Sequence, residues 1–274
     1  MKIAFFGGGN MATALIGGMI ESGVAAAADI RVVEIDPAAR ERLQAKFGVA
    51  TSAAPDAATF SADVLVLAVK PQQMKAALAP FAGALQGALV ISIAAGLQLA
   101  DIGRWLGGSG APYARLVRCM PNTPALIGEG VLGLYAAPAV DAAGRELATR
   151  LLAAVGSTVW VETEDKLDAV TGVSGSGPAY VFHFIEALEA GGRAQGLDAQ
   201  SARALALGTV LGAAKLAATS DDSPAVLREK VTSKGGTTAA ALAVLAERGW
   251  FDAVVAAVAA CAARSREMGE QFGK

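Results

Sequence analysis

Between Val231 and Leu245 the chain reads VTSKGGTTAAALAVL, and the seven residues from Thr232 to Thr238 carry almost no apolar surface. Such a run offers hydroxyls and an unobstructed backbone. At the start of a helix it has two readings. One is punctuation, with hydroxyls capping unpaired amides and glycine taking the turn. The other is an anion cradle, because free N–H groups at the positive end of a helix attract a carboxylate or phosphate. Position alone leaves both open. A second run with chemistry lies near the other terminus, where Gly7-Gly8-Gly9-Asn10-Met11-Ala12 follows KIAFF and precedes MATALIGGMIESG. This matches G-x-G-x-x-A in a strand–turn–helix setting: Gly7 makes the tight turn, Gly9 lets a pyrophosphate approach, and Ala12 allows close helix packing. Glu34 closes the next apolar run at about the 20-residue spacing where a carboxylate accepts a ribose hydroxyl. Phe6, Gly7, Gly8, Gly9, Asn10, Met11 and Glu34 are therefore expected to bind a dinucleotide.

Three further segments fall where strands of an α/β sheet deliver residues to a ligand. Ala68-Val69-Lys70-Pro71 and Ala94-Ala95-Gly96 could be plain strand exits, with Pro71 blocking further pairing and Gly96 turning the chain. Beside the fingerprint, cofactor contact is the favoured reading for both. Arg118-Cys119-Met120-Pro121-Asn122-Thr123-Pro124, stiffened by two prolines, ends another expected strand. A stiff polar loop there suits the wall of a nicotinamide pocket, a structural turn being the other reading, and Asn122 joins the cofactor candidates.

The elements that must position these residues come in two styles. Up to about Val161, the apolar runs KIAFF, IRVVEI, DVLVLAV, ALVISIAA and TVWVE alternate with helical stretches, which predicts a parallel sheet with crossover helices. From Asp165 onward the apolar spacing is helical in AYVFHFIEALEAGGRA, ARALALGTVLGAAKLAA and FDAVVAAVAACAARSREM. The fold class expected is thus an α/β Rossmann-type domain over residues 1–161, followed by an all-helical substrate and dimerisation domain over residues 162–274. Its Ala-rich helices carry few charges, so a lone copy would leave much apolar surface wet, and a homodimer or higher homo-oligomer follows.

Composition narrows the partners. With 54% hydrophobic residues and a net charge of −2, the chain lacks the clustered Lys and Arg that nucleic acid requires. Cys119 and Cys261 are far apart and lack metal-ligand spacing, so no metal is expected and a reduced, cytoplasmic chain fits. The apolar start is too short for a signal peptide, and no stretch of about 20 apolar residues is free of Gly or charge, so no membrane span is expected.

FFGGGNM, AVKPQ, RCMPNTP, DAVTGVSGSGPAYVF and VTSKGGTT occur in this order along nearly the whole chain, and in this it resembles the pyrroline-5-carboxylate reductases. The first motif says only that a dinucleotide is bound, whereas SGSGPAY with SKGGTT is specific to that family. The resemblance implies reduction of a cyclic imine carboxylate, 1-pyrroline-5-carboxylate, to L-proline by hydride from NAD(P)H, with NADP(H) or NAD(H) as cofactor and each active site completed by a partner subunit. It implies that Ser233, Gly235, Gly236 and Thr237 hold the substrate carboxylate, that Thr238 reaches the ring nitrogen as the candidate catalytic hydroxyl, and that Glu164 lies beside the ring. A solvated helix-start acid is the other reading of Glu164. Lys234 stands where relatives have Pro. The related hydroxyacid dehydrogenases carry G-x-x-G-x-G-x-x-x-K. Here Gly172, Gly175 and Gly177 match, but Val181 replaces the proton-shuttling Lys, and an iminium that already carries its proton needs no such shuttle. His183, the one histidine, is read as a packed or half-exposed side chain. A reductase of a different cyclic imine or ketoacid, or a non-catalytic dinucleotide sensor, are the alternatives.

Overall fold

The computed structural model describes residues 1–273. Its strands are β1 (Ile3–Phe6), β2 (Ile30–Val33), β3 (Ala50–Ser52), β4 (Val64–Leu67), β5 (Leu89–Ser92), β6 (Leu116–Met120), β7 (Gly130–Ala136) and β8 (Gly156–Trp160). Helices α1 (Asn10–Glu21), α2 (Pro37–Phe47), α3 (Ala57–Phe60), α4 (Pro71–Leu78), α5 (Leu99–Gly107) and α6 (Ala142–Leu152) connect them. After β8 come α7 (Lys166–Val170), a π-helical turn over Thr171–Gly175, α8 (Gly177–Ala194), α9 (Ala199–Thr219), α10 (Pro224–Lys230), α11 (Thr237–Glu247) and α12 (Trp250–Phe272).

The strands form one sheet in the order β3-β2-β1-β4-β5-β6-β7-β8. In β1, Ile3 and Phe5 enter one core while Ala4 and Phe6 enter the other. A strand covered on both faces reads as a continuous apolar run for this reason. The chain reverses its strand order between β1 and β4, so the crevice outside their carboxyl ends is where a doubly wound sheet takes its ligand.

The expected parallel sheet holds from β3 through β6, and the direction changes beyond it. β7 runs antiparallel to β6 and parallel to β8. Its sequence GVLGLYA hid it, because two glycines interrupt the apolar run, yet both are there for clearance. A Cβ on Gly133 would lie 2.5 Å from Val170 Cγ1, and one on Gly130 2.7 Å from the Val155 carbonyl oxygen.

The chain divides into two compact units. The first comprises Met1–Ser176 together with the chain from Ala259 onward, so the C-terminal half of α12 belongs to the sheet-containing unit. There the Ser265 hydroxyl donates to Asp168 Oδ1 at 2.6 Å. The second unit, Gly177–Val258, holds α8 to α11 and the start of α12. Phe184 and Trp250 stack within it at 5.6 Å between ring centroids. Its interior is small, with Ala202 and Ala206 buried. Phe182, Leu205, Leu211, Leu216, Val244 and Phe251 are all more than half exposed in the single chain. Among the described residues no helix is long and apolar enough to cross a membrane.

Candidate active site

The fingerprint turn is held by the sheet itself. Gly7 donates to the Val33 carbonyl at 2.8 Å, and the Ala68 amide donates to the Phe6 carbonyl at 2.8 Å. The exits of β1, β2 and β4 are thereby drawn together. Gly7 sits at φ +104°, and a Cβ there would lie 2.6 Å from the Ala68 carbonyl oxygen, so any side chain would force the two exits apart. Gly9 is the N-cap of α1, with no side chain capping the helix. A Cβ on Gly9 would meet nothing within 4 Å. Open space above an uncapped helix start fits a pyrophosphate. Beside it, Gly8, Gly9, Asn10, Glu34, Asp36 and Arg42 contribute to the wall of a cleft of about 410 Å³. Met11 is half-buried against the core.

Glu34 does more than end a strand. Its Oε2 accepts from the Gly8 amide at 2.7 Å and its Oε1 from the Asp36 amide at 2.9 Å. Along the same edge, Val69 is half-buried, Lys70 is exposed as the N-cap of α4 with no side-chain cap, and Pro71 is its first residue. Ala95 is half-buried, and Gly96, at φ +81°, is backed by α12: a Cβ there would lie 3.3 Å from the Gly269 amide nitrogen and from Met268 Cβ. Asn122 is buried, donates through Nδ2 to the Ser174 carbonyl at 3.0 Å and accepts at Oδ1 from the Val131 amide at 2.9 Å. The protein itself occupies its amide group, which pins the RCMPNTP loop to β7 and to the π-helical turn.

Glu164 has a partner that sequence reading missed. Its Oε1 accepts from the Leu99 amide at 2.7 Å and from Arg118 Nη1 at 3.1 Å. Arg118 is buried in β6, with Nη2 4.0 Å from Asp168 Oδ1. Glu164, Arg118, Asp168, Gly96, Arg266 and Glu270 contribute to the wall of a cavity of about 300 Å³. The one available signal was an arginine inside an apolar strand, since a buried guanidinium requires carboxylates nearby.

The second unit contains the Ser/Thr/Gly loop. Gly235 takes φ +71°, and the Gly236 amide donates back to the Ser233 carbonyl at 3.0 Å. Gly236 is the N-cap of α11, which no side chain caps. The first intrahelical bond runs from the Ala240 amide to the Gly236 carbonyl at 3.2 Å. The amides of Thr237, Thr238 and Ala239 therefore start the helix without a capping side chain. Thr237 is exposed and Thr238 half-buried. A Cβ on Gly236 would run into the Ser233 hydroxyl. On α8, Val181 is partly exposed, and the His183 side chain is fully in solvent, 3.3 Å from Glu186. His183 is more exposed than its apolar surroundings in sequence implied.

A doubly wound sheet with a glycine fingerprint, an acidic residue after its second strand and three more strand exits on the same edge defines the dinucleotide-binding class of α/β proteins. Comparison with known proteins narrows the class. Residues 164–268 match the pyrroline-5-carboxylate reductase dimerisation family, and residues 2–96 match the family described as NADP oxidoreductase, coenzyme F420-dependent. The chain is 44% identical over 274 residues to the pyrroline-5-carboxylate reductase of Pseudomonas aeruginosa, covering 100% of this chain and 98% of that one. Among solved structures, a pyrroline-5-carboxylate reductase from Coxiella burnetii superposes with a TM-score of 0.89 at 38% identity, covering 97% and 98% of the two chains. The Plasmodium falciparum pyrroline carboxylate reductase, solved with NADP bound, gives 0.86 at 28% identity, covering 98% of each. This chain belongs to the pyrroline-5-carboxylate reductase family.

Proposed function

We propose that the chain reduces 1-pyrroline-5-carboxylate to L-proline with hydride from NADH or NADPH. The observation that carries this reading is the presence, on one chain, of an open dinucleotide cradle at Gly7–Met11 and an uncapped helix start at Thr237 preceded by a turn of small residues. When bound, the dinucleotide supplies the hydride. The α1 amides hold its pyrophosphate, Glu34 accepts from its adenosine ribose, and the exits at Ala68–Pro71, Ala95–Gly96 and Asn122 shape its nicotinamide end.

The substrate's carboxylate is bound by the free amides at the start of α11, aided by that helix's positive end. Ser233, Gly235 and Gly236 shape this cradle. The Gly236 amide is used inside the turn, so Gly236 contributes clearance rather than a donor. Thr238 places its hydroxyl on the ring nitrogen. With Val181 where a shuttling lysine would stand, the substrate enters as the protonated iminium, and hydride addition at the ring carbon leaves a neutral secondary amine. Glu164 acts through Arg118, fixing the wall beside Gly96.

In this reading residues 1–161 serve the cofactor and residues 162–274 the substrate and the homo-oligomer, except that Glu164 and the C-terminal half of α12 pack into the sheet-containing unit beside Gly96. The exposed apolar side chains of the second unit are covered by another copy, as a homodimer or a larger assembly. Two free cysteines and the scattered positive charge favour a cytoplasmic enzyme acting on a small molecule without nucleic acid or membrane. The test is a panel of cyclic imines and ketoacids followed by loss of reduced-cofactor absorbance. Turnover of the five-membered imine carboxylate is expected, and turnover of another substrate without it would overturn the proposal.

A further inference from the structure

We infer that this chain reads the 2′ position of the adenosine ribose with a clamped carboxylate, Glu34, and so selects NADH over NADPH; the inference rests on the reductase reading above. Glu34 lies just past β2 at the ligand edge of the sheet. Its two oxygens are held by two different segments, Oε2 by the Gly8 amide at 2.7 Å and Oε1 by the Asp36 amide at 2.9 Å. A rotation that carried the carboxylate away would unpair both amides. Glycine at position 8 is part of the device, because a Cβ there would lie 3.3 Å from Glu34 Cβ and Cγ and 2.7 Å from Leu43 Cδ1. The fingerprint turn and the reader of the ribose are therefore one hydrogen-bonded unit. A ribose hydroxyl donates to such a carboxylate, whereas a phosphate ester at the same place faces a negative charge that cannot turn aside.

The nearby cations do not reverse this. Arg40, in the first turns of α2, donates through Nη1 to the carbonyls of Glu34 and Ile35 at 2.7 and 2.9 Å. Its guanidinium is drawn onto the backbone of the same segment. Arg42 and Lys46 share the cleft with Glu34. Both lie further along α2 than Arg40, by about 3 and 9 Å of helical rise, and Lys46 lies over the ring of Phe47, 5.0 Å from its centroid. Ile35, 80% exposed between the two acids, adds an apolar surface that a nucleobase can cover. The Plasmodium falciparum relative was solved with NADP bound; in this chain the clamped carboxylate favours the dinucleotide that lacks the 2′-phosphate.

Calorimetric titration of the full-length oligomer with NADH and with NADPH tests the inference alongside kcat/KM for each. The wild-type chain should bind NADPH about tenfold or more weakly than NADH. Glu34→Gln, which keeps the side-chain length and removes the charge, and Glu34→Ser should each bring the two dissociation constants within about threefold. Thermal midpoints check that both variants fold. If neither does, the wild-type ratio decides alone. NADPH binding as tight as NADH, or a ratio unchanged by Glu34→Gln, overturns the inference. Tight NADPH binding with turnover of the imine overturns this inference and leaves the reductase reading standing, while failure to bind either dinucleotide overturns both.

Discussion

Glu164 offers a sharp test, because its surroundings give it a job that does not require substrate. Arg118 is 5% exposed at its side chain, Glu164 23% and Asp168 10%. Removing one partner of a fully buried ion pair costs about 3–5 kcal/mol, most of it from the charge left unpaired. Two features reduce that here. Glu164 reaches water, and Asp168 remains 4.0 Å from Arg118. Glu164→Ala also strips the Leu99 amide of its acceptor, a loss of about 1 kcal/mol. A destabilisation of about 2–3 kcal/mol follows. Glu164→Gln keeps an acceptor for Leu99 and should lose only about 1 kcal/mol. The double variant Glu164→Ala with Arg118→Met should be more stable than the sum of its singles, since it leaves no orphan cation.

Urea unfolding at fixed protomer concentration measures these differences, because oligomer stability shifts with concentration. Steady-state kinetics are read in parallel. Loss of stability in the Ala variant, recovery in the Gln variant and a non-additive double variant would identify Glu164 as an anchor for the β5 exit and α7. An unchanged urea midpoint in Glu164→Ala, with the KM for the imine raised more than about tenfold, a binding loss of about 1.4 kcal/mol, would refute this reasoning and make Glu164 a substrate ligand.

Four other outcomes are expected. Thr238→Ala should lower kcat/KM by about tenfold to a few hundredfold, the range for one hydrogen bond lost with or without a buried partner left unpaired, and Thr238→Ser should restore most of it; Thr237→Ala should matter less because it keeps its amide, and the reverse order would misplace the roles by a residue. Gly7→Ala, forced to φ +104° and against the Ala68 carbonyl, should cost about 2 kcal/mol or more and weaken dinucleotide binding at least about tenfold by titration. Asp198 caps α9 through Ser201, whose hydroxyl and amide hold its carboxyl below the usual range. The folded-state value being lowered, its contribution is present above the unfolded value of about 3.9 and fades as pH falls through the folded one, so Asp198→Asn should flatten the acid limb of a Tm-versus-pH curve, and an unaltered limb would exclude Asp198 as its source. Leu211→Glu, on the exposed face of α9, should shift sedimentation toward the monomer and remove activity with it; a fully active monomer would refute the need for a second copy.

Much of the fold was legible because its elements satisfy local rules. Strands covered on both faces must be apolar throughout, so KIAFF, DVLVLAV and ALVISIAA announced β1, β4 and β5. Helices α8, α9 and α12 showed their apolar spacing directly. What escaped had long-range reasons. β3 is an edge strand of three residues, Ala50–Ser52, only partly covered and too short to show a period. β7 was broken in sequence by glycines whose need for clearance is set by Val170 and Val155, residues far along the chain. Nor could periodicity reveal that α12 contributes its second half to the sheet-containing unit.

The site divides along the same physical line. Glycines at the fingerprint and at Gly235–Gly236 were legible because a tight turn or an open backbone constrains residue type at one position. Charged residues are different, since their roles depend on which groups the fold places within about 3 Å. Glu34 was recognised by its place after β2, but the Gly8 and Asp36 amides that orient it are visible only in three dimensions. Glu164 read equally well as a ligand or as a solvated acid until Arg118, 46 residues away in sequence, was found against it. Asn122 was expected at the cofactor, yet both polar atoms of its side chain serve the protein, so any contact with the nicotinamide runs through the loop that it holds in place. Sequence therefore locates a polar residue at the ligand edge more readily than it tells whether that residue touches the ligand or shapes the wall. The response to a conservative variant separates the two: a wall residue changes stability and cofactor binding together, and a ligand-touching residue changes affinity or turnover while the unfolding midpoint stays where it was.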